Sequence, residues 1–195
     1  PKAVACIEDT AVDIEDLADY IDELDEILEA FNQSPVHYAH AGAGEIHMRP
    51  ILDLKKAEDV EDFYQISLAS AKLVKKYQGS LSGEHGDGRV RATFIPLMVG
   101  EKNYELFRRI KFTWDPSNIF NPGKIVDAAP MNQFLRYEVG MQTPEPETVL
   151  DFSGVGGILR LAEKCNGSGD CRKLPGSGGT MCPSFMATRN ERDSV

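Results

Sequence analysis

The stretch Asp13-Ile-Glu-Asp-Leu-Ala-Asp-Tyr-Ile-Asp-Glu-Leu-Asp-Glu-Ile-Leu-Glu-Ala-Phe31 sets the architecture of this chain. Its apolar residues Ile14, Leu17, Ile21, Leu24, Leu28 and Phe31 recur at intervals of three or four with acids between them, the pattern of an amphipathic helix with one buried face. Toward the N-terminus, Ala3 to Ile7 is a short run of small and β-branched residues and reads as a strand. Cys6 within it is expected in the core, because isolated cysteines pack as small hydrophobes. Toward the C-terminus, Val36 to His40 and Glu45 to Pro50 flank the small-residue link Ala41-Gly42-Ala43-Gly44, which suits a tight turn or a close backbone approach to a ligand. A second helix is expected from Ala57 to Tyr77, with Val60, Phe63, Tyr64, Ser67, Leu68, Ala71 and Val74 on its buried stripe. A third is expected near Tyr104 to Phe112, closed by Asp115-Pro116 because proline disfavours helix in its predecessor.

Strands separated by two long amphipathic helices give an α+β fold class, an antiparallel sheet with helices packed on one face in a ferredoxin-like arrangement. From Asp127 onward Pro130, Pro144, Pro146 and scattered glycines interrupt any regular period. The domain boundary is therefore placed after residue 128, with residues 129–195 as an irregular, cysteine-containing tail that holds a short helix between Val149 and Lys164. A chain of 195 residues has room for one domain with a sizeable core plus such a tail, and it reads as a fragment of a longer polypeptide.

The formal net charge of −10 is uneven: no Lys or Arg occurs between Lys2 and Arg49, while Asp and Glu crowd residues 8–29. Nucleic acid is thereby an unsuitable partner, and the acidic run reads as a solvated helix face. Apolar runs fall far short of the roughly 20 residues of a membrane-spanning helix, so a soluble protein with no transmembrane segment is expected. Of the 4 cysteines, Cys6 stands apart and Cys165, Cys171 and Cys182 cluster. That odd grouping favours a reducing compartment with metal or cluster chemistry over a disulfide framework.

Three of the 4 histidines lie in His37-Tyr-Ala-His40-Ala-Gly-Ala-Gly-Glu45-Ile-His47. On one straight strand His40 and His47 would face opposite ways, and a turn at residues 42–44 removes that obstacle. By the same alternation Glu45 shares the face of His47, and His37 points away from His40. Two imidazoles and a carboxylate are a ligand set for a catalytic divalent metal such as zinc. The carboxylate can come from Gly79-Ser-Leu-Ser-Gly-Glu84-His85-Gly-Asp-Gly88, a backbone shaped either to approach a ligand or simply to flex. Taken alone, His40 and His47 fit a structural role better than a ligand role.

His40-x6-His47-x-Arg49-Pro50, the Gly79 to Gly88 segment and Asp115-Pro-Ser-Asn-Ile-Phe-Asn-Pro-Gly-Lys124, in that order, resemble the C-terminal part of the FAD-linked oxidases, among them D-lactate, glycolate and D-2-hydroxyglutarate dehydrogenases. The resemblance covers about residues 1–128. It implies a flavin-dependent 2-hydroxy-acid dehydrogenase, with His40, His47 and Glu84 as metal ligands, His85 as the base beside them, and Asn121 and Lys124 near the flavin. Many relatives carry Asp and Asn where this chain has Ala43 and Glu45, and the Asn contributes to substrate binding there. A Glu45 carboxylate repels an acidic substrate unless a cation compensates it. Arg49 or Arg89 can pair with a substrate carboxylate through two hydrogen bonds. FAD itself is expected to be bound mainly by an N-terminal domain absent from this chain, since no G-x-G-x-x-G stands between a strand and a helix.

In the tail, Cys165-x5-Cys171-x10-Cys182-Pro183 departs from the usual bacterial ferredoxin spacing but ends in its Cys-Pro. It looks like the linker of fused proteins in which a flavin oxidase precedes a ferredoxin-like module, which implies a [4Fe-4S] cluster completed by downstream cysteines and electrons passed to it from FAD. The expected location is cytoplasmic, soluble or peripheral at the inner face of the membrane. The alternative reading is a metal-binding or regulatory module without catalysis, which uses the same histidines and has no need of His85.

Overall fold

The computed structural model describes residues 2–194 apart from Pro35, Pro175 and Thr180, and divides them into two compact units, residues 1–141 and 142–195. The first is α+β. Its strands are β1 (Lys2–Ala3), β2 (Thr10–Ala11), β3 (Ala39–His40), β4 (Glu45–Ile46) and β5 (Ile51–Leu52), and its helices are α1 (Leu17–Ala30), α2 (Ala57–Lys76), α3 (Ile95–Val99) and α4 (Glu101–Trp114). One sheet was expected and two small antiparallel ones form: β1 pairs with β5, and the other has the order β2-β4-β3. The division starts in the first strand. The backbone leaves β1 after Ala3 and turns through residues 6–9, where Asp9 takes a left-handed φ of 78°. That turn ends the strand expected over Ala3 to Ile7 and delivers Glu8 and Asp9 to the interior, where Asp9 N–H donates to Ile46 O at 2.9 Å.

The acid-rich stretch forms a short 3-10 turn over Ile14–Asp16, with Asp13 accepting from Glu15 N–H, and then α1. Tyr20, Leu24 and Leu28, spaced by four, are its buried residues, whereas Ile14 remains exposed because it precedes the α-helical turns. Helix α2 packs against α1 and buries Phe63, Ile66, Ser67, Ser70, Ala71, Leu73 and Val74. The Tyr20 and Tyr77 rings meet edge to face at 5.6 Å. The Tyr20 hydroxyl donates to Thr10 at 2.9 Å, which joins α1 to the edge of the three-stranded sheet. Cys6 belongs to this core, and burial pushes its thiol up to about 12.

Between β3 and β4 the chain reverses over a 3-10 turn at Ala41–Ala43 and Gly44, whose φ is 68°. A Cβ at Gly44 would lie 2.0 Å from the Val12 carbonyl oxygen, so no larger residue fits without moving backbone. The reversal sets His40 directly across from Glu45. After α2 the backbone runs antiparallel to β2 through a bridge between Ala11 and Ser80, which carries the following loop over the same sheet.

Helix α4 extends beyond the expected Tyr104 to Phe112 at both ends and buries no residue fully. Ile110 and Trp114 are exposed on it, as are Ile119 and Phe120 just beyond, and the Trp114 side chain is 81% exposed. Asp115 holds the turn that follows: its carboxylate accepts from the Ile119 and Phe120 N–H groups, both at 2.8 Å, and from Lys111 at 2.5 Å. Burial pushes this carboxyl up, and the three donors together bring it below the usual carboxylate range.

Composition changes at Asp127, yet Met131 is buried in the first unit's core and residues up to Met141 cluster with that unit. The second unit contains α5 (Ile158–Ala162) and α6 (Pro183–Thr188), the latter capped by Cys182 Sγ accepting from Phe185 N–H at 3.5 Å. Residues 142–150 carry no helix or strand and are mostly exposed. Limited proteolysis is therefore expected to cut there first and release a folded piece of about residues 1–141; equal protection of this stretch and of α2, read by mass spectrometry, would overturn that expectation.

Candidate metal centre

The hairpin of β3 and β4 and the loop after Ser80 bring His40, Glu45, His47 and Glu84 together, with one ligand atom from each lying within 4.8 Å of the others. His40 Nε2 is 3.4 Å and His47 Nε2 3.8 Å from Glu84 Oε1, and His47 Nε2 is 4.0 Å from Glu45 Oε1. Donors bound to one zinc at about 2.0–2.2 Å in a tetrahedron lie roughly 3.4 Å apart, so these separations are close to those of a ligand shell. His37 does turn away, with its Nε2 at 3.0 Å from Asp25.

The burial of the group argues in the same direction. Glu45 and His47 are 6% and 8% exposed, yet Glu45 Oε1 and His47 Nδ1 lack a hydrogen-bond partner among the described residues. Buried polar atoms without partners are costly. A cation among these donors would satisfy the Glu45 oxygen, and the donor set of two imidazoles and carboxylates suits zinc.

His85 stands beside this group, its ring stacked on that of His47 at 5.2 Å. Its Nε2 lies 3.3 Å from Glu84 Oε1, and its Nδ1 faces Asp9 and Glu8 at 3.8 and 3.9 Å. Two alternative triads share these residues: Glu8 with His47 and His85, and Asp9 with Glu84 and His85. A pocket of about 580 Å³ opens onto the site, lined among others by Tyr38, His40, His47, Arg49, Glu84 and His85.

Three residues that the sequence reading did not single out hold the loop in place. Asp9, 0% exposed, accepts from the backbone N–H groups of Glu84 and His85, each at 3.0 Å, and from the Ser82 hydroxyl. Burial pushes the Asp9 carboxyl up, but these donors and a hydrogen bond with Glu45 outweigh it and hold it well below the usual range. The same bond with Asp9 raises the Glu45 carboxyl. Buried Arg91 donates to Glu8 O and Gly86 O, both at 2.8 Å, and its Nη2 lies 3.5 Å from Asp9 Oδ2. Glu8 receives Arg49 through two bonds, from Nε at 2.5 Å and Nη2 at 2.8 Å, and the guanidinium holds the Glu8 carboxyl low.

The other expected site residues lie elsewhere. Arg89 spends its guanidinium on the Gln133 and Phe134 carbonyls. Asn121, exposed with φ of 48°, and half-buried Lys124 sit on the turn organised by Asp115 and do not line the histidine pocket. Cys165 is exposed, Cys171 half-buried and Cys182 buried. Among the described residues no group of ligand atoms gathered within 4.8 Å includes a cysteine, so these thiols form no single-ion site.

Residues 1–125 match the family model described as FAD linked oxidases, C-terminal domain. The D-2-hydroxyglutarate dehydrogenase of Pantoea ananatis is 36% identical over 201 residues, covering 97% of this chain, and that of Pseudomonas putida is 35% identical over 195 residues, covering 96%. The chain spans 18% of the length of each of these two relatives. The D-lactate dehydrogenase of Archaeoglobus fulgidus is 32% identical over 126 residues, covering 64% of this chain and 27% of the relative.

Proposed function

The chain belongs to the family of FAD linked oxidases, C-terminal domain, and from that premise we propose that it forms the substrate side of a flavin-dependent dehydrogenase that oxidises a D-2-hydroxy acid to the 2-oxo acid. The observation that carries the reading is the convergence of His40, His47 and Glu84 beside His85 in the lining of one pocket. D-2-hydroxyglutarate is the favoured substrate. The relatives named for it align along nearly the whole chain, tail included, whereas the D-lactate dehydrogenase of A. fulgidus aligns over 64%.

His40, His47 and Glu84 would hold a divalent cation, which would supply polarisation of the substrate hydroxyl, and FAD, held mainly by a domain outside this chain, would supply the hydride acceptor for Cα. The residues of the chain supply the rest. His85 accepts the hydroxyl proton at Nε2, the ring nitrogen on the side of Glu84. Its Nδ1 faces the Asp9 and Glu8 carboxylates at 3.8 and 3.9 Å, on the side of the ring away from Glu84. Arg49 lines the pocket with its guanidinium anchored by Glu8, pre-oriented to meet a substrate carboxylate; Arg89, committed to two carbonyls, is the lesser candidate. Asn121 and Lys124 form the edge that meets the flavin domain. Residues 1–128 act as the substrate-side domain and 129–195 as a linker that opens an iron–sulfur region, in which Cys165, Cys171 and Cys182 would supply part of a [4Fe-4S] ligand set; no step above depends on it. No helix among the described residues is long and apolar enough to cross a membrane, and a cytoplasmic setting, soluble or peripheral at the inner membrane face, follows from the cysteine usage.

The test is a polypeptide carrying this chain together with a flavin-binding domain of the family, assayed with a panel of D- and L-2-hydroxy acids and a dye acceptor. Dye reduction with D-2-hydroxyglutarate, lost on chelation and restored by zinc, is expected. Bound flavin that no D-2-hydroxy acid reduces would overturn the proposal.

A further inference from the structure

We propose that Glu45 is a fourth protein donor to the divalent cation instead of a substrate contact; this inference rests on the metal reading above. Glu45 opens β4 directly across from His40, and its side chain is nine-tenths buried. One of its oxygens, Oε1, has no hydrogen-bond partner among the described residues although it faces His47 Nε2 at 4.0 Å. It belongs to the same set of ligand atoms within 4.8 Å as His40, His47 and Glu84. A buried carboxylate oxygen aimed at two imidazoles and a second carboxylate is costly unless something positive sits among them.

The carboxyl has little room to turn elsewhere. Gly83 passes so close that a Cβ there would lie 2.8 Å from both Cδ and Oε1 of Glu45. Asp9 engages the same carboxyl, so the group is boxed in by a backbone without a side chain and by a buried acid. A cation held there would also offset the repulsion between Glu45 and an incoming substrate carboxylate.

Zinc affinity of the chain is to be measured by competition with a chromophoric chelator for the unsubstituted protein, Glu45→Gln and Glu84→Gln. Glu45→Gln keeps the volume and removes the charge; it is expected to weaken zinc binding by at least about tenfold, with the metal-free far-UV spectrum unchanged. Glu84→Gln is expected to weaken it as well. If Glu84→Gln loses zinc while Glu45→Gln binds as the unsubstituted chain does, Glu45 is no donor and the inference is overturned with the metal reading intact. If neither changes affinity, the metal reading fails and takes the inference with it. Should Glu45→Gln fail to fold, anomalous diffraction from a zinc-soaked crystal of the unsubstituted chain decides: a peak about 2.0–2.2 Å from Glu45 Oε1 supports the assignment, and one bonded to His40, His47 and Glu84 alone overturns it.

Discussion

His85→Gln in an enzyme that carries this chain and its flavin domain is expected to slow turnover by ~10²- to 10⁴-fold while leaving zinc bound. The two effects separate because His85 adjoins the proposed ligand Glu84 in sequence and in space, with its Nε2 3.3 Å from Glu84 Oε1, yet lies outside the four-residue donor group. Glutamine can still donate a hydrogen bond but has no basic nitrogen for the substrate proton. Steady-state kinetics and metal analysis of the same preparation check both halves. Loss of zinc along with activity would transfer His85 to the ligand set, as in its alternative grouping with Glu8 and His47. Near-normal turnover would reduce it to a loop residue and remove the mechanism.

Asp9→Ala is expected to destabilise the first unit by about 3–5 kcal/mol, the cost typical of removing one partner of a buried charged network. The Ser82 hydroxyl and the N–H groups of Glu84 and His85 lose their acceptor, and Arg91 loses the carboxylate beside it. Glu45 loses its hydrogen bond with Asp9 as well. Alanine also tolerates the left-handed φ of 78° poorly. Asp9→Asn keeps the shape and suits that backbone, so its cost is expected to be smaller, about 1–2 kcal/mol, because one acceptor becomes a donor facing donors. Urea unfolding measures both, and a change within about 0.5 kcal/mol for Asp9→Ala would show that the loop is held by other contacts.

What the sequence made legible is what local periodicity and turn chemistry control. Spacing by three and four located α1 and α2 almost to their ends, since burial of one stripe and its helical period are the same fact. The reversal at Gly44 that unites His40 with His47 was also readable from the small residues between them. The carboxylates that shape the site were not. Glu8 and Asp9 adjoin the acidic run that reads as a solvated face, and only the turn after Cys6 sends them inward. Their partners Ser82, Glu84, His85 and Arg91 are more than seventy residues away, a separation no local pattern reports. Of Arg89 and Arg91, it is Arg91 that enters the interior, and the residue types alone do not distinguish them. The expected antiparallel pairing forms as two small sheets for a related reason: the chain gives up strand length to place those acids.

Trp114 is the one tryptophan of the chain, and its indole stands in solvent at the end of α4. Its fluorescence is consequently a gauge of that helix's surroundings and not of the packed interior: emission is already that of a water-exposed ring in the native state, so its colour changes little as the core melts. Anything that settles over the end of α4 is expected to shift the light to the blue, and the chain thus carries a built-in optical signal for the covering of that helix's exposed apolar side chains.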